Sequence, residues 1–238
     1  TKTNVPNNKT HLISMSQDKT SDTPSRRFVI TVGRQFGSGG RELGHKLAER
    51  FSIGYYDKKL LWEAASRAGM SREIFEKNDE RMPRLIGSSV GFSMGYGQLP
   101  WYNGEAMMTD SIYNSLADVM EHLADTAPCV IVGRSADYVL RDHAVPKVSL
   151  FVHAPMDVRI KRILSRSEDI KQTNAARNLA EKTDKLRAAY YNFYTDKKWG
   201  DAASYDLTLD SSVLSMDDIC DIVALYIRKR YGFDPEDK

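Results

Sequence analysis

Chemistry concentrates in nine consecutive residues, Gly33-Arg34-Gln35-Phe36-Gly37-Ser38-Gly39-Gly40-Arg41. They follow the β-rich run Phe28-Val29-Ile30-Thr31-Val32. Leu43, Leu47 and Phe51 then recur at four-residue spacing among polar Glu42, Lys46, Glu49 and Arg50. A glycine-rich turn between a strand and a helix aims several backbone N–H groups at one point, and the helix start adds partial positive charge. Such a turn suits a phosphate, and arginines on either side grip one through two donors each. Arg34, Gly37, Ser38, Gly39, Gly40 and Arg41 are therefore the candidate phosphate-binding residues. A plain strand-to-helix turn with solvated arginines has the same composition; the placement between strand and helix favours phosphate.

The usual phosphate loop ends in Gly-Lys-Ser/Thr. Here Gly40 stands where lysine is expected, and Arg41 and Glu42 follow. Arg41 is the candidate to replace the lysine charge from one position later. Glu42 faces either a metal ion or nothing more than the helix dipole.

The elements that position these residues alternate between strand and helix. Gly54 to Tyr56 reads as a second strand ending at Asp57. Leu60, Leu61, Ala64 and Ala65 make a helical face, and Leu116, Val119, Met120 and Leu123 another. Cys129-Val130-Ile131-Val132 and Val148-Ser149-Leu150-Phe151-Val152 are apolar runs of the kind buried on both faces of a parallel sheet. Ser135 to Leu140 suggests a short helix, Met156 to Leu164 begins a longer one, and Tyr205 to Leu209 is a last strand. Ser215 with Asp217 and Asp218 starts a final helix with Met216, Ile219, Val223 and Tyr226 inward. The pattern predicts a three-layer α/β fold: a central parallel sheet with helices on both faces. Residues 1–27 read as a flexible leader and 28–238 as the domain. The glycine- and aromatic-rich stretch 87–104, with Phe92, Tyr96, Trp101 and Tyr102, reads as a long loop suited to stacking a planar ligand.

Composition limits the alternatives. A formal net charge of +2 gives no general reason to expect nucleic acid or an anionic membrane as partner. No apolar run approaches the roughly 20 residues of a membrane span. Cys129 and Cys220 have neither metal spacing nor a disulfide framework, which fits a reducing cytoplasm. Oligomeric state has no signature in the sequence.

The run from Thr31 to Gly44 resembles the opening of the cytidylate kinase-like proteins. Tyr55-Tyr56-Asp57-Lys58-Lys59-Leu60-Leu61, the segment Cys129 to Asp137 and the segment Tyr190 to Thr195 agree with that family in order and spacing. The resemblance implies a P-loop nucleoside monophosphate kinase fold: a core, an acceptor-binding segment over 70–127 and a helical lid over 159–198. It also implies ATP and magnesium, with small-molecule nucleotides as substrates. In that family the aspartate matching Asp57 lies near the acceptor nucleotide and the arginine matching Arg134 binds it. Asp57, Lys58, Arg134 and Asp137 are thus the candidate acceptor-binding residues, although Asp57 equally suits an N-cap for the helix beginning at Lys58. Val132 occupies the place of a magnesium-holding aspartate, and the metal ligands are left unassigned; Asp137 is the nearest carboxylate that would take over.

Arg159, Lys161, Arg162, Arg166, Lys171, Arg177, Lys182, Lys185 and Arg187 make the lid region rich in positive charge. Positioned cations carry much of the catalysis of phosphoryl transfer, so Arg41, Arg162, Arg166 and Arg187 are the candidate catalytic residues. Asp184, Arg187 and Tyr191 fall on one helical face. From Leu85 through Gly133 there is no Lys or Arg, where the family carries an acceptor-binding arginine. Three functions fit: a phosphotransferase acting on a nucleoside monophosphate such as CMP, a kinase for a non-nucleotide acceptor, or a nucleotide-binding regulatory module with little catalysis.

Overall fold

The computed structural model describes residues 27–67 and 105–237. The leader, the stretch 87–104 and the first part of the 70–127 segment lie outside the described residues, apart from Arg27. Five parallel strands form one sheet in the order β2-β3-β1-β4-β5. These are β1 (Val29–Arg34), β2 (Gly54–Tyr56), β3 (Cys129–Val132), β4 (Lys147–His153) and β5 (Leu207–Asp210). Central β1 pairs with β3 from Val29↔Cys129 and with β4 from Val29↔Lys147.

Side chains alternate across the strands, so each face of the sheet collects its own core. Ile30, Val32, Val130 and Val132 face α1 (Gly40–Arg50), which contributes Leu43 and Leu47. Ile219, Val223 and Ile227 of the C-terminal helix complete that side. On the other side Val29 and Ile131 meet Leu61 of α2 (Lys58–Arg67) and Leu116 and Met120 of α3 (Glu105–Thr126). Leu140, next to the short α4 (Ala136–Val139), closes it. The three-layer α/β architecture predicted from the sequence is the one observed.

Two further helices, α5 (Met156–Arg166) and α6 (Thr173–Tyr194), pair through Ile160, Ile163, Ala176 and Ala180, with Phe36 of the glycine loop against them. The chain ends in α7 (Met216–Tyr231), opened by a reciprocal capping box between Ser215 and Asp218 and closed by Gly232. One boundary differs from expectation. The last strand begins at Leu207 rather than Tyr205, because Tyr205 ends a 3-10 turn over Ala202–Ser204 and packs its ring 4.9 Å from Phe151. No helix among the described residues is long and apolar enough to cross a membrane.

The topology fixes where a ligand belongs. From β1 the chain leaves through α1 towards β2 at one edge, whereas from β3 it leaves through α4 towards β4 on the far side of β1. Connections diverge at the carboxyl ends of β1 and β3, which is where open parallel sheets form their binding crevice.

Candidate active site

The glycine loop sits at that crevice, and long-range contacts pin it on several sides. Gln35 N–H donates to Val152 O (3.0 Å), while Gln35 Oε1 accepts from Ala154 N–H (3.2 Å). Phe36 N–H donates to Asp184 Oδ1 (2.7 Å), and Arg159 Nε donates to Phe36 O (2.8 Å). Arg159, which is buried, also pairs with Asp184, whose side chain is 15% exposed. Arg162 Nη1 donates to Gly37 O (3.0 Å), and Ser211 Oγ, just beyond β5, donates to Ser38 O. Gly37 (φ 79°) and Gly39 (φ 88°) hold the left-handed conformations that let the loop double back. Helix α1 has no side-chain cap at Gly39, so the N–H groups of its first turn remain open to an anion.

A cavity of about 310 Å³ lies over this loop, and Arg34, Arg41, Arg162, Arg166 and Arg187 all line it. Among the described residues no carboxylate does. Arg34 is the deepest: burial, then Arg187 and Arg134, push its guanidinium down to about 9, still protonated at neutral pH. Arg187 Nη1 reaches the carbonyl of Arg34 (3.0 Å) with its guanidinium over the Phe36 ring at 5.6 Å. Burial also lowers Arg187 and Arg162. Positive charge gathered in a partly dry cleft favours an anion, which would offset the desolvation of the guanidinium groups.

The predicted residues separate into two groups. Arg34, Gly37, Gly39, Gly40, Arg41, Arg162, Arg166 and Arg187 converge on the cavity. Ser38 lies in the same loop, but its hydroxyl is buried and donates to Gln35 O (2.9 Å). Arg166 is shared with Glu42, an exposed pair, so Glu42 is committed to an arginine. Arg41 is 69% exposed and pairs with Asp57 Oδ2 at 2.8 Å. Asp57 is the N-cap of α2, accepting from Lys59 N–H (3.0 Å) and Leu60 N–H (3.2 Å). Lys58 is exposed on the first turn of that helix.

Arg134 occupies a distinct setting across the crevice. Gly133, Arg134 and Ser135 are consecutive left-handed residues with φ of 86°, 58° and 54°. For the two that carry side chains this geometry costs on the order of 1–2 kcal/mol each. The turn throws the guanidinium between Trp62 (5.9 Å) and Tyr190 (5.6 Å). Arg134 Nη2 and Ser135 Oγ are buried with no hydrogen-bond partner among the described residues. Tyr113 and Tyr194 stack at 4.2 Å, and the Tyr190 ring lies 4.9 Å from Tyr194, so the guanidinium faces an aromatic wall. Asp137 does not pair with Arg134; it accepts from the Tyr191 hydroxyl at 2.6 Å, and burial raises its carboxyl. Sequence reasoning missed Trp62, Tyr113, Arg159 as a buried anchor, and Ser211. For Ser211 the signal was its place at the carboxyl end of a strand.

Magnesium, implied by resemblance, finds no preformed ligand set. Asp57, Glu42, Asp137 and Asp184 are each held by another side chain. Val132, in the aspartate's place, is buried under α1, where a Cβ on Gly44 would come within 2.8 Å of Val132 Cγ2. Among the described residues no cluster of three metal-capable side chains exists.

Comparison with known proteins agrees with this geometry. Residues 29–213 match the cytidylate kinase-like family. The cytidylate kinase of Methanopyrus kandleri is 26% identical over 203 residues, covering 82% of this chain and 90% of the relative. That of Methanocaldococcus jannaschii is 22% identical over 199 residues, covering 83% and 96%. The crystal structure of an uncharacterized protein from Eubacterium ventriosum superposes with a TM-score of 0.61 at 27% identity, covering 86% of this chain and 100% of that one. A match running from β1 past β5, on a sheet that gathers arginines over a glycine loop, places the chain in the cytidylate kinase-like family.

Proposed function

We propose that the chain is an ATP-dependent phosphotransferase whose acceptor is a nucleoside monophosphate, nominally CMP. The observation that carries this reading is the cavity over the glycine loop, lined by five arginines and no carboxylate. Phosphoryl transfer asks little covalent chemistry of a protein; the transition state spreads charge over the transferred oxygens, and fixed cations stabilise it. The donor phosphates lie on the first turn of α1, with Arg162 and Arg187 along the developing charge. A second cavity of about 560 Å³ shares Arg162 and Arg166 with the first and is bordered by Leu214, Ser215 and Met216. It has room for the donor nucleoside, beyond the phosphates.

The acceptor enters on the opposite side of the loop, where Arg134 presents an unpaired buried N–H₂ beside tyrosine rings. A planar, anionic acceptor fits both features. The helical hairpin α5–α6 acts as the lid of this reaction, its Arg159–Asp184 pair fixing the loop while Arg162 and Arg187 face the phosphates. Family kinship and the unoccupied donors of Arg134 support the nucleotide class; the identity of the base rests on kinship alone.

The test is acceptor-dependent ADP formation with CMP, dCMP, UMP, AMP and GMP offered separately. Arg187→Ala is expected to lower kcat by about a hundredfold or more with little change in acceptor KM. Arg134→Ala is expected chiefly to raise the KM of one acceptor. The engaged carboxylates and Val132 favour a second reading, a nucleotide-binding module with little catalysis. ATP binding without turnover on nucleotide and non-nucleotide acceptors alike would establish it.

A further inference from the structure

We propose that Arg34, from the end of β1, supplies the cation that the loop lacks at Gly40, and that the missing side chains of Gly40 and Gly133 make room for it. This inference rests on the phosphate-loop reading above and says which side chain completes it. Sequence order nominated Arg41, the residue after Gly40, but Arg41 turns outward to Asp57. The Arg34 side chain takes the opposite course. It runs from the strand end across the first residue of α1: a Cβ on Gly40 would lie 2.5 Å from Arg34 Cβ and 3.1 Å from its Cγ. Its guanidinium ends against the turn after β3, where a Cβ on Gly133 would lie 2.1 Å from Nη1.

The two glycines therefore play different parts. At Gly40 any larger residue meets the root of Arg34, which is fixed by the strand, so a lysine there and this arginine exclude each other. At Gly133 the clash is with the far end of a flexible side chain, so a methyl group would push the guanidinium aside, and the left-handed backbone there (φ 86°) adds strain for any residue with a Cβ. The cation itself has no ion pair among the described residues; Arg187 and Arg134 repel it more strongly than Asp57 attracts it. It lines the cavity over the loop. A desolvated guanidinium with no ion pair among the described residues, beside two other arginines, is arranged for an anion that arrives from outside. From this position it lies between the glycine loop and the turn that carries Arg134.

The experiment is calorimetric titration of the full chain with ATP and, separately, with inorganic tripolyphosphate, which lacks the nucleoside. Variants are Arg34→Gln, Arg34→Lys, Gly133→Ala, Gly40→Lys, and the double variant Arg34→Gly with Gly40→Lys. Melting temperatures are recorded for each. Arg34→Gln is expected to weaken both ligands about ten- to a hundredfold, the worth of one charge-assisted contact. Its melting temperature stays at or above wild type, since an uncompensated buried charge has gone. Gly133→Ala weakens both ligands with a smaller loss of stability than Gly40→Lys. The double variant, which moves the cation back to the helix start, regains most of the lost tripolyphosphate affinity, whereas Gly40→Lys alone does not bind. If wild type binds and Arg34→Gln binds equally well, the inference is wrong and the phosphate-loop reading stands. If wild type binds neither ligand, both are wrong.

Discussion

Replacing Asp184 by Ala removes one carboxylate that holds two things at once, the Phe36 N–H of the glycine loop and the buried guanidinium of Arg159. Burial raises Asp184, working against the Phe36 amide and Arg159, so the pair as a whole adds little net stability. Breaking it is another matter. The Arg159 side chain is 5% exposed and would keep an unpaired charge, a change that costs about 3–5 kcal/mol. In a chain of this size each kcal/mol moves the melting temperature by roughly 2–4 °C, so the fall should be roughly 6–20 °C. Glu42→Ala is the control. The Arg166–Glu42 pair has side chains 53% and 38% exposed and is worth less than about 1 kcal/mol. Thermal and urea unfolding at neutral pH give both numbers. The double variant Arg159→Met with Asp184→Leu should regain most of the stability, because no charge is left orphaned, while ATP affinity stays low because Phe36 is untethered. Equal, small losses for Asp184→Ala and Glu42→Ala would refute the claim that α6 clamps the loop through a buried pair.

Gly44→Ala should lose about 1 kcal/mol: the added methyl would sit 2.8 Å from Val132 Cγ2 and 3.2 Å from Tyr55 Cε2, and overpacking outweighs the gain in helix propensity. A melting temperature at or above wild type would show that α1 has slack over the sheet. Leu47→Ala, at a fully buried position between α1 and the sheet, should cost about 2–5 kcal/mol by urea unfolding. At Asp206, burial works to raise the carboxyl, but Ser149 N–H (2.8 Å), Arg230 and the Ser149 hydroxyl outweigh it and hold it low. A carboxyl held below its unfolded value contributes stability that is present above about pH 4 and lost as pH falls through the lower folded value. Wild type should therefore lose more stability than Asp206→Asn between about pH 5 and pH 3; parallel losses would remove Asp206 from the acid response.

What could be read from the sequence was whatever depends on local period. Asp184, Arg187 and Tyr191 share a face at steps of three and four, and all three do point inward, to Phe36, to the Arg34 carbonyl and to Asp137. The glycine loop, the buried strands and the Ser215 cap were visible for the same reason. Arg159 was not. It sits among eight other cations in sequence, and only the packing of α5 on α6 brings Asp184, 25 residues on, to its guanidinium. The direction of Arg34 depends on β3 lying beside β1, which places Gly133 at its tip from 99 residues away. The pairing of Arg41 with Asp57 likewise needs β2 at the sheet edge, and the Asp57 cap was the bland alternative that proved to be present. The Arg134 turn gave no warning, since two side-chain-bearing residues in the left-handed region follow no composition rule.

Phosphoryl transfer between nucleotides, proposed for this cavity, leaves a trace that can be followed. The most direct measurement is to incubate the protein with ATP labelled at the γ-phosphate and CMP, with magnesium, and to follow the label. The label is expected in CDP, and Arg187→Ala is expected to slow its appearance without unfolding the protein. Label that stays in ATP, or leaves only as inorganic phosphate while ATP binds normally, would contradict it.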